Sequence, residues 1–284
     1  MRGRRFASEQ DIERHISNGF GAGAGASYVP WLRVQDVPSR GRSHKIQGVV
    51  VDRIHHLFSD LERAYLLVCE FSEDVVDIRE QYPLLPRESA KAIANSIGVR
   101  YPNYPTTSVP LVMTTDFILT VRQPNGDSKT VAKAIKYQVD LTGKESLRTL
   151  EKLEIERRFW LAQGIDWGIV TEKDFTVDLI KNLGLLRQHT LLPRELNNSS
   201  LLSDFVDHLV ALKAYPWSTG QCLRKVASRL CLSYSSAKHI FYYLIWWKMI
   251  RIDLANTLLL LTSPLPDFTV ISLTESAPLS EKSL

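Results

Sequence analysis

Asp116 and Lys136 are the residues with the clearest chemical potential. They stand at the open end of a predicted hairpin, "TTDFILTVRQPNGDSKTVAKAIKYQ", with strands over roughly 112–121 and 131–136 and "PNGD" at the turn. Asn-Gly favours a tight turn because both residues tolerate positive φ. Their positions average to Gly126, so a regular hairpin puts them opposite or nearly so. A carboxylate and an ammonium at one strand end can be a cross-strand ion pair, of little energetic weight if exposed. They can also be half of a metal-dependent phosphodiesterase site, which needs hard oxygen ligands for a divalent ion and a cation for the developing charge. Such sites usually carry a second acid two residues before the lysine, and here that residue is Ala134. Glu62 in "SDLE" is the candidate replacement. Ser59-x-x-Glu62 also fits a helix capping box, and spacing alone leaves both readings open.

The elements that must position these residues read as an α/β unit. A short amphipathic helix is expected over 8–17, and the glycines of "GFGAGAGASY" form a flexible or close-packed loop. They lack the strand and helix that a phosphate loop requires. "HHLFSDLERAYLLVCEF" reads as a helix with Ala64, Leu67, Val68 and Phe71 at helical spacing. On it His55 and His56 would point about 100° apart and could not chelate one ion. "VVDIREQ" is strand-like, and a small helix follows in a proline-rich excursion. "SLRTLEKLEIERRFWLAQG" is a helix with Leu147, Leu150, Leu153, Trp160 and Leu161 on its predicted apolar face, where Glu154 and Arg157 would form a partly buried ion pair. Gly164 stops it. "DWGIVT" is a short buried strand. This order describes a mixed sheet. Arg33, Arg40, Arg42, Lys45 and Arg53, spread through an extended segment, could follow a phosphate backbone or form a solvated basic surface.

Beyond about Asp174 the pattern turns helical. Leu223, Val226, Ala227 and Leu230 make one helical face. Ala237, Ile240, Phe241, Leu244 and Ile245 make another, with "CLSYS" between them. Ile250, Ile252 and Leu254 alternate as a strand. The outline is that of a winged helix-turn-helix. Arg224, Lys225, Arg229, Lys238 and His239 are few basic residues for a sequence reader. The aromatic cluster Phe241, Tyr242, Tyr243, Trp246 and Trp247 suits a core and a docking surface. Two domains are expected, 1–173 (with a basic segment over 1–53) and 174–272, followed by a polar, disordered tail over 273–284.

The bulk numbers agree with a globular protein of 284 residues, 44% hydrophobic and 23% charged. The net charge of +4 permits nucleic-acid contact without demanding it. Cys69, Cys222 and Cys231 form no CxxC pair, which argues against a disulfide framework or zinc site and for a reducing cytoplasm. The apolar runs are too short for a membrane span, and the N-terminus lacks the apolar core of a signal peptide.

"YVPWLRVQDVPSRGRSHKI", "RIHHLFSDLE", "VVDIREQYPLLP", "VMTTDF" and "RTLEKLEIERRFW" resemble, in order over about residues 8–174, the TnsA family of bacterial cut-and-paste transposases. The resemblance implies a restriction-endonuclease-like domain of the PD-(D/E)xK kind followed by the winged-helix-like domain. It implies that Glu62 and Asp116 ligate magnesium or manganese and that Lys136 is the catalytic lysine; with Ala134 in place of the middle acid, the Ile135 carbonyl, waters and DNA phosphate oxygens would complete the shell. It further implies cleavage of the 5′ strands of double-stranded DNA at transposon ends in the bacterial cytoplasm. The partners would be a TnsB-like transposase and a TnsC-like ATPase, the latter bound through the C-terminal domain. Arg40, Arg42, Lys45, Arg53 and His55 are the candidate DNA contacts. A non-catalytic scaffold subunit, motivated by Ala134, and a winged-helix DNA-binding regulator are the rival readings.

Overall fold

The computed structural model describes residues 6–36, 42–143 and 146–271. The chain divides into two units, Met1–Asp174 and Phe175–Leu284, each with its own set of buried apolar side chains.

The first unit is α/β with a mixed sheet. The N-terminal helix α1 (Glu9–Ser17) starts at Ser8, whose hydroxyl and the Asp11 carboxylate cap each other's backbone N–H groups. The glycine-rich loop after it is close-packed: a Cβ on Gly21 would lie 2.4 Å from Pro83 Cγ, and φ there is +78°. Strands β1 (His44–Gln47) and β2 (Ile54–Leu57) form an antiparallel pair. Helix α2 (Asp60–Phe71) follows. The expected helix over 55–71 is thus corrected at its start. Residues 54–57 take the ladder with β1, and Ser59 is extended (φ −149°), its side chain accepting from Glu62 N. His55 and His56 therefore lie on a strand and point to opposite faces.

Strands β3 (Val75–Pro83), β4 (Thr114–Arg122), β5 (Ser128–Ile135) and β6 (Asp166–Val170) make one sheet in that order. The first three are antiparallel, and β6 runs parallel to β5. Helix α3 (Arg87–Ser96) lies between β3 and β4, and α4 (Leu147–Leu161) is the crossover between β5 and β6. Ile118 and Ala132 pack with Ala90 and Ala94 of α3 and with Ile155, Phe159 and Trp160 of α4. On the other face of β4 the Phe117 ring meets Tyr65 of α2 edge-on at 5.3 Å. As the edge strand, β6 is half-buried rather than buried, apart from Val170.

Two expectations are revised by register and by helix phase. The hairpin pairs Phe117 with Lys133 and Arg122 with Ser128, which centres it on Asn125 and not on Gly126. Gln123 N–H donates to Asp127 O (2.7 Å) and Gly126 N–H to Gln123 O (2.9 Å). Within this three-residue loop Gly126 alone has positive φ, +89°. Continuing the register places Asp116 opposite Ala134, with Lys136 two residues further along. On α4 the buried residues are Leu153, Ile155, Glu156, Phe159 and Trp160, while Leu147, Leu150 and Leu161 are exposed. Glu154 and Arg157 pair at 2.7 Å on the outward side, with Arg158 also bonded to Glu154.

The second unit contains α5 (Val177–Leu186), α6 (Ser199–Val210), α7 (Thr219–Arg229) and α8 (Tyr234–Trp246). Two short strands, β7 (Ile250–Arg251) and β8 (Thr269–Val270), pair antiparallel. Helix α8 is buried along Ile240–Trp246, so the aromatic cluster is largely core. The strand expected through Leu254 stops at Arg251. Asn182 of α5 donates to Leu254 O (2.9 Å) and Thr257 O (2.7 Å) and accepts from Leu259 N, folding this stretch back on α5. The predicted tail over 273–284 lies outside the described residues.

Candidate active site

The open end of the β4/β5 hairpin gathers four side chains. Asp116 Oδ2 accepts from Lys136 Nζ (2.7 Å) and from Ile135 N–H (2.7 Å), and Lys136 Nζ also donates to Ile135 O (2.9 Å). The diagonal offset left by the hairpin register is spanned by the long lysine side chain. This is a partly buried, multiply bonded pair: Asp116 is 15% exposed and Lys136 30%. Burial alone would lower the lysine's pKa. The hydrogen-bonded Asp116 carboxylate, followed by Glu156 and Glu62, turns it upward, so Lys136 stays protonated.

Glu62 comes from the first turn of α2 and is buried. Its carboxylate accepts from Phe58 N–H (2.9 Å) and Ser59 Oγ (3.1 Å), while Ser59 Oγ accepts from Glu62 N–H (3.0 Å). The cap anticipated from Ser59-x-x-Glu62 thus forms, with Phe58 N–H as backbone donor, and the same cap aims Glu62 at the site. Burial first, then the Asp116 charge, push its pKa up to about 8, against the pull of the Phe58 N–H, Lys136 and Ser59.

The fourth residue, Glu156, was not singled out from the sequence. It projects from the buried side of α4, accepts from Trp167 Nε1 (2.9 Å), and has its pKa pushed up to about 7 by burial and then by Asp116. Ile118, Ala132 and Ala134 are each 2% exposed or less on the sheet face that α4 covers. Glu156 therefore approaches Asp116 from the layer above Ala134. The signal was available: Leu153, Glu156 and Trp160 fall at i, i+3, i+7, which makes Glu156 a carboxylate inside an apolar stripe. Anchoring the stripe on exposed Leu147 and Leu150 drew attention to Glu154 instead.

The donor set suits a hard divalent cation. Three carboxylates face one lysine ammonium, leaving two negative charges uncompensated if all ionise, and the raised pKa values of Glu62 and Glu156 reflect burial first and that repulsion second. Among the described residues no three His, Cys, Asp or Glu already converge in ligand geometry.

The candidate DNA contacts divide. Arg42 and Lys45 are exposed, and Arg40 lies outside the described residues. Arg53 and His55 are corrected. Arg53 Nη1 donates to Glu80 Oε1 (2.8 Å) and Nη2 to Ile78 O (2.7 Å), with its side chain 7% exposed. His55 is fully buried, its Nδ1 2.8 Å from Glu80 Oε2. Both are spent on a buried carboxylate and cannot reach a phosphate. His56 N–H is a third partner of Glu80 (2.9 Å).

Residues 72–172 match the family described as TnsA-like endonuclease N terminal. Asp116, Ala134, Lys136 and Glu156 fall inside that segment, and Glu62 precedes it. The chain is 43% identical over 176 residues to the transposon Tn7 transposition protein TnsA of Escherichia coli. That alignment covers 62% of this chain and 62% of the relative's length. The segment that carries Asp116, Lys136 and Glu156 is thus similar to the TnsA-like endonuclease N-terminal family, and the chain spans less than two thirds of the relative's length.

Proposed function

We propose that this protein is a divalent-metal-dependent DNA endonuclease that cuts the 5′ strands at transposon ends. The observation that carries the reading is the Asp116–Lys136–Ile135 knot beside buried Glu62 and Glu156 in a segment of TnsA-like sequence. Glu62, Asp116 and the Ile135 carbonyl would hold magnesium or manganese; the carbonyl has two lone pairs, so its bond from Lys136 leaves one free. When bound, the ion supplies an activated water and neutralises charge on the scissile phosphate. Lys136, kept protonated by its acidic neighbours, stabilises charge developing on the phosphate. Glu156 sets the field at Asp116. Exposed Arg42 and Lys45 are the remaining candidate backbone contacts. The helix, turn, helix and two-strand order of the second unit supports a winged-helix-like domain. A TnsB-like transposase and a TnsC-like ATPase are the proposed partners, the ATPase on the second unit.

Nicking of transposon-end DNA with magnesium or manganese and the partner proteins tests this. Asp116→Ala and Lys136→Ala should each abolish 5′ cleavage while complex assembly persists. Full 5′ cleavage by either variant would overturn the assignment. Assembly without cleavage by the unaltered chain would favour the scaffold reading that Ala134 motivates.

A further inference from the structure

The second unit carries an electropositive, aromatic-walled cleft that the cleavage reading leaves unused. Gln221, Arg224, Lys225 and Ser228 recur at i, i+3, i+4, i+7 and form the outward face of α7, opposite buried Leu223, Val226 and Ala227. With Trp217 they line an open cleft of ≈ 430 Å³. The cations are held flat on rings: Lys225 Nζ sits 5.7 Å from the Trp217 centroid and Arg224 Cζ 4.6 Å from that of Tyr234. Lys238 Nζ, from the first turns of α8, lies 5.2 Å from the centroid of the same Tyr234 ring. Tyr215, 51% exposed, stacks on Trp217 at 4.7 Å and extends the aromatic wall.

Among the described residues no carboxylate pairs with Arg224, Lys225 or Lys238, so the rings order these cations without neutralising them. Ordering them in advance lowers the side-chain entropy lost when an anion binds. An amide, a hydroxyl, paired cations and the exposed ring of Tyr215 match a phosphodiester chain with bases beside it. An acidic polypeptide would use the charges and leave the stacked rings idle. We propose that the α7 face with Trp217 is a second DNA-binding site, gripping the phosphodiester backbone with the second unit. Most of α8 is buried, so the grip is on backbone and not on base edges in the major groove.

The test uses the full chain, without divalent metal, and anisotropy of labelled single-stranded and duplex oligonucleotides across a salt series. Cleavage plays no part in the readout, so failure of the nuclease reading is separately visible. Arg224→Glu with Lys225→Glu should weaken binding at least tenfold. It should also flatten the log K against log salt slope by about 1.4 for single strands or about 1.8 for duplex, the loss of two phosphate contacts. Whichever DNA loses more affinity identifies the form held. Trp217→Ala should weaken the single-strand complex, with Trp217→Phe restoring it. Arg224 and Lys225 are exposed and Trp217 is half-buried, and an unchanged melting temperature confirms the fold of each variant. Unaltered affinity and slope in the charge-reversed variant would overturn the site. So would a Trp217→Ala chain that binds DNA normally while poly-glutamate displaces the DNA at equal charge concentration, since the face would then serve an acidic protein.

Discussion

Glu62 and Glu156 are buried acids whose proton affinity depends on what shares their pocket. In the metal-free protein their pKa values, about 8 and about 7, lie above the unfolded value near 4.5. Between those limits the folded chain binds more protons than the unfolded chain. Its stability therefore falls as pH rises from about 4.5 to about 8. Glu62→Gln and Glu156→Gln should each flatten that decline in thermal melts. A divalent ion requires the ionised forms, so its binding should release protons. Calorimetry in buffers of different ionisation heat should show proton release near pH 7, smaller in either glutamine variant. Metal affinity should rise with pH up to about 8 and then level off. Glu156→Gln should lower metal affinity about 10- to 100-fold, the usual cost of losing a supporting group around a metal site. Of these residues, Asp116 and Lys136 were legible as a pair at a strand end. Glu62 was legible only as one of two readings of a cap; in the structure its carboxylate accepts from Phe58 N–H and Ser59 Oγ and lies near Asp116 and Lys136. Glu156 was missed because charge on a helix is read against the apolar face, and that face was phased on leucines that turned out to be exposed.

At the scale of elements, the β1/β2 pair is tied to the central sheet through one carboxylate. Glu80 of β3 is fully buried and bonded by Arg53, His55 and the His56 N–H. Burial alone would raise its pKa; the hydrogen bonds and charges of Arg53 and His55 hold it at about 2. That stability is present above the unfolded value near 4.5 and is lost as pH falls from there toward 2. Glu80→Gln leaves the Arg53 guanidinium buried with no counter-charge and should destabilise the protein by about 3–5 kcal/mol. The same variant should also lose part of the wild-type acid sensitivity below pH 4.5, which distinguishes a lost ion pair from a general packing defect. A second prediction concerns the turn that sets the hairpin register. Gly126 has φ +89° with open space around a Cβ, so Gly126→Ala should cost about 1 kcal/mol of backbone strain and no packing clash. Denaturant melts with an unchanged m-value would show this. The Asn-Gly signal located the turn correctly. It could not say that the loop closes over three residues, and that one residue decides whether Asp116 faces Ala134 or Lys136.

At the scale of the molecule, the question is how the proposed metal site, with Ala134 where an acid is usual, would hold an ion. The Asp116–Lys136 bond occupies one carboxylate oxygen in the free protein, and Glu62 and Glu156 have raised pKa values. At neutral pH the free site therefore offers less negative charge than its residue count implies. A DNA phosphate brings its own anionic oxygens and would complete the shell. Metal and DNA should consequently bind cooperatively, with weak metal binding to the protein alone. Linkage makes this a two-sided measurement: the factor by which an uncleavable DNA raises metal affinity must equal the factor by which the metal tightens DNA. We expect that factor to be about 10–100, read by calorimetry for the metal and by anisotropy for the DNA with calcium as the non-catalytic ion. The two-unit layout and the mixed sheet could be read from the order of hydrophobic periods, because period is a local property. The coupling could not, because it depends on how much charge four residues from α2, β4, the end of β5 and α4 carry once they are brought together. Tight magnesium binding without DNA, unchanged when DNA is added, would mean that the protein alone completes the shell and that Ala134 is no deficit.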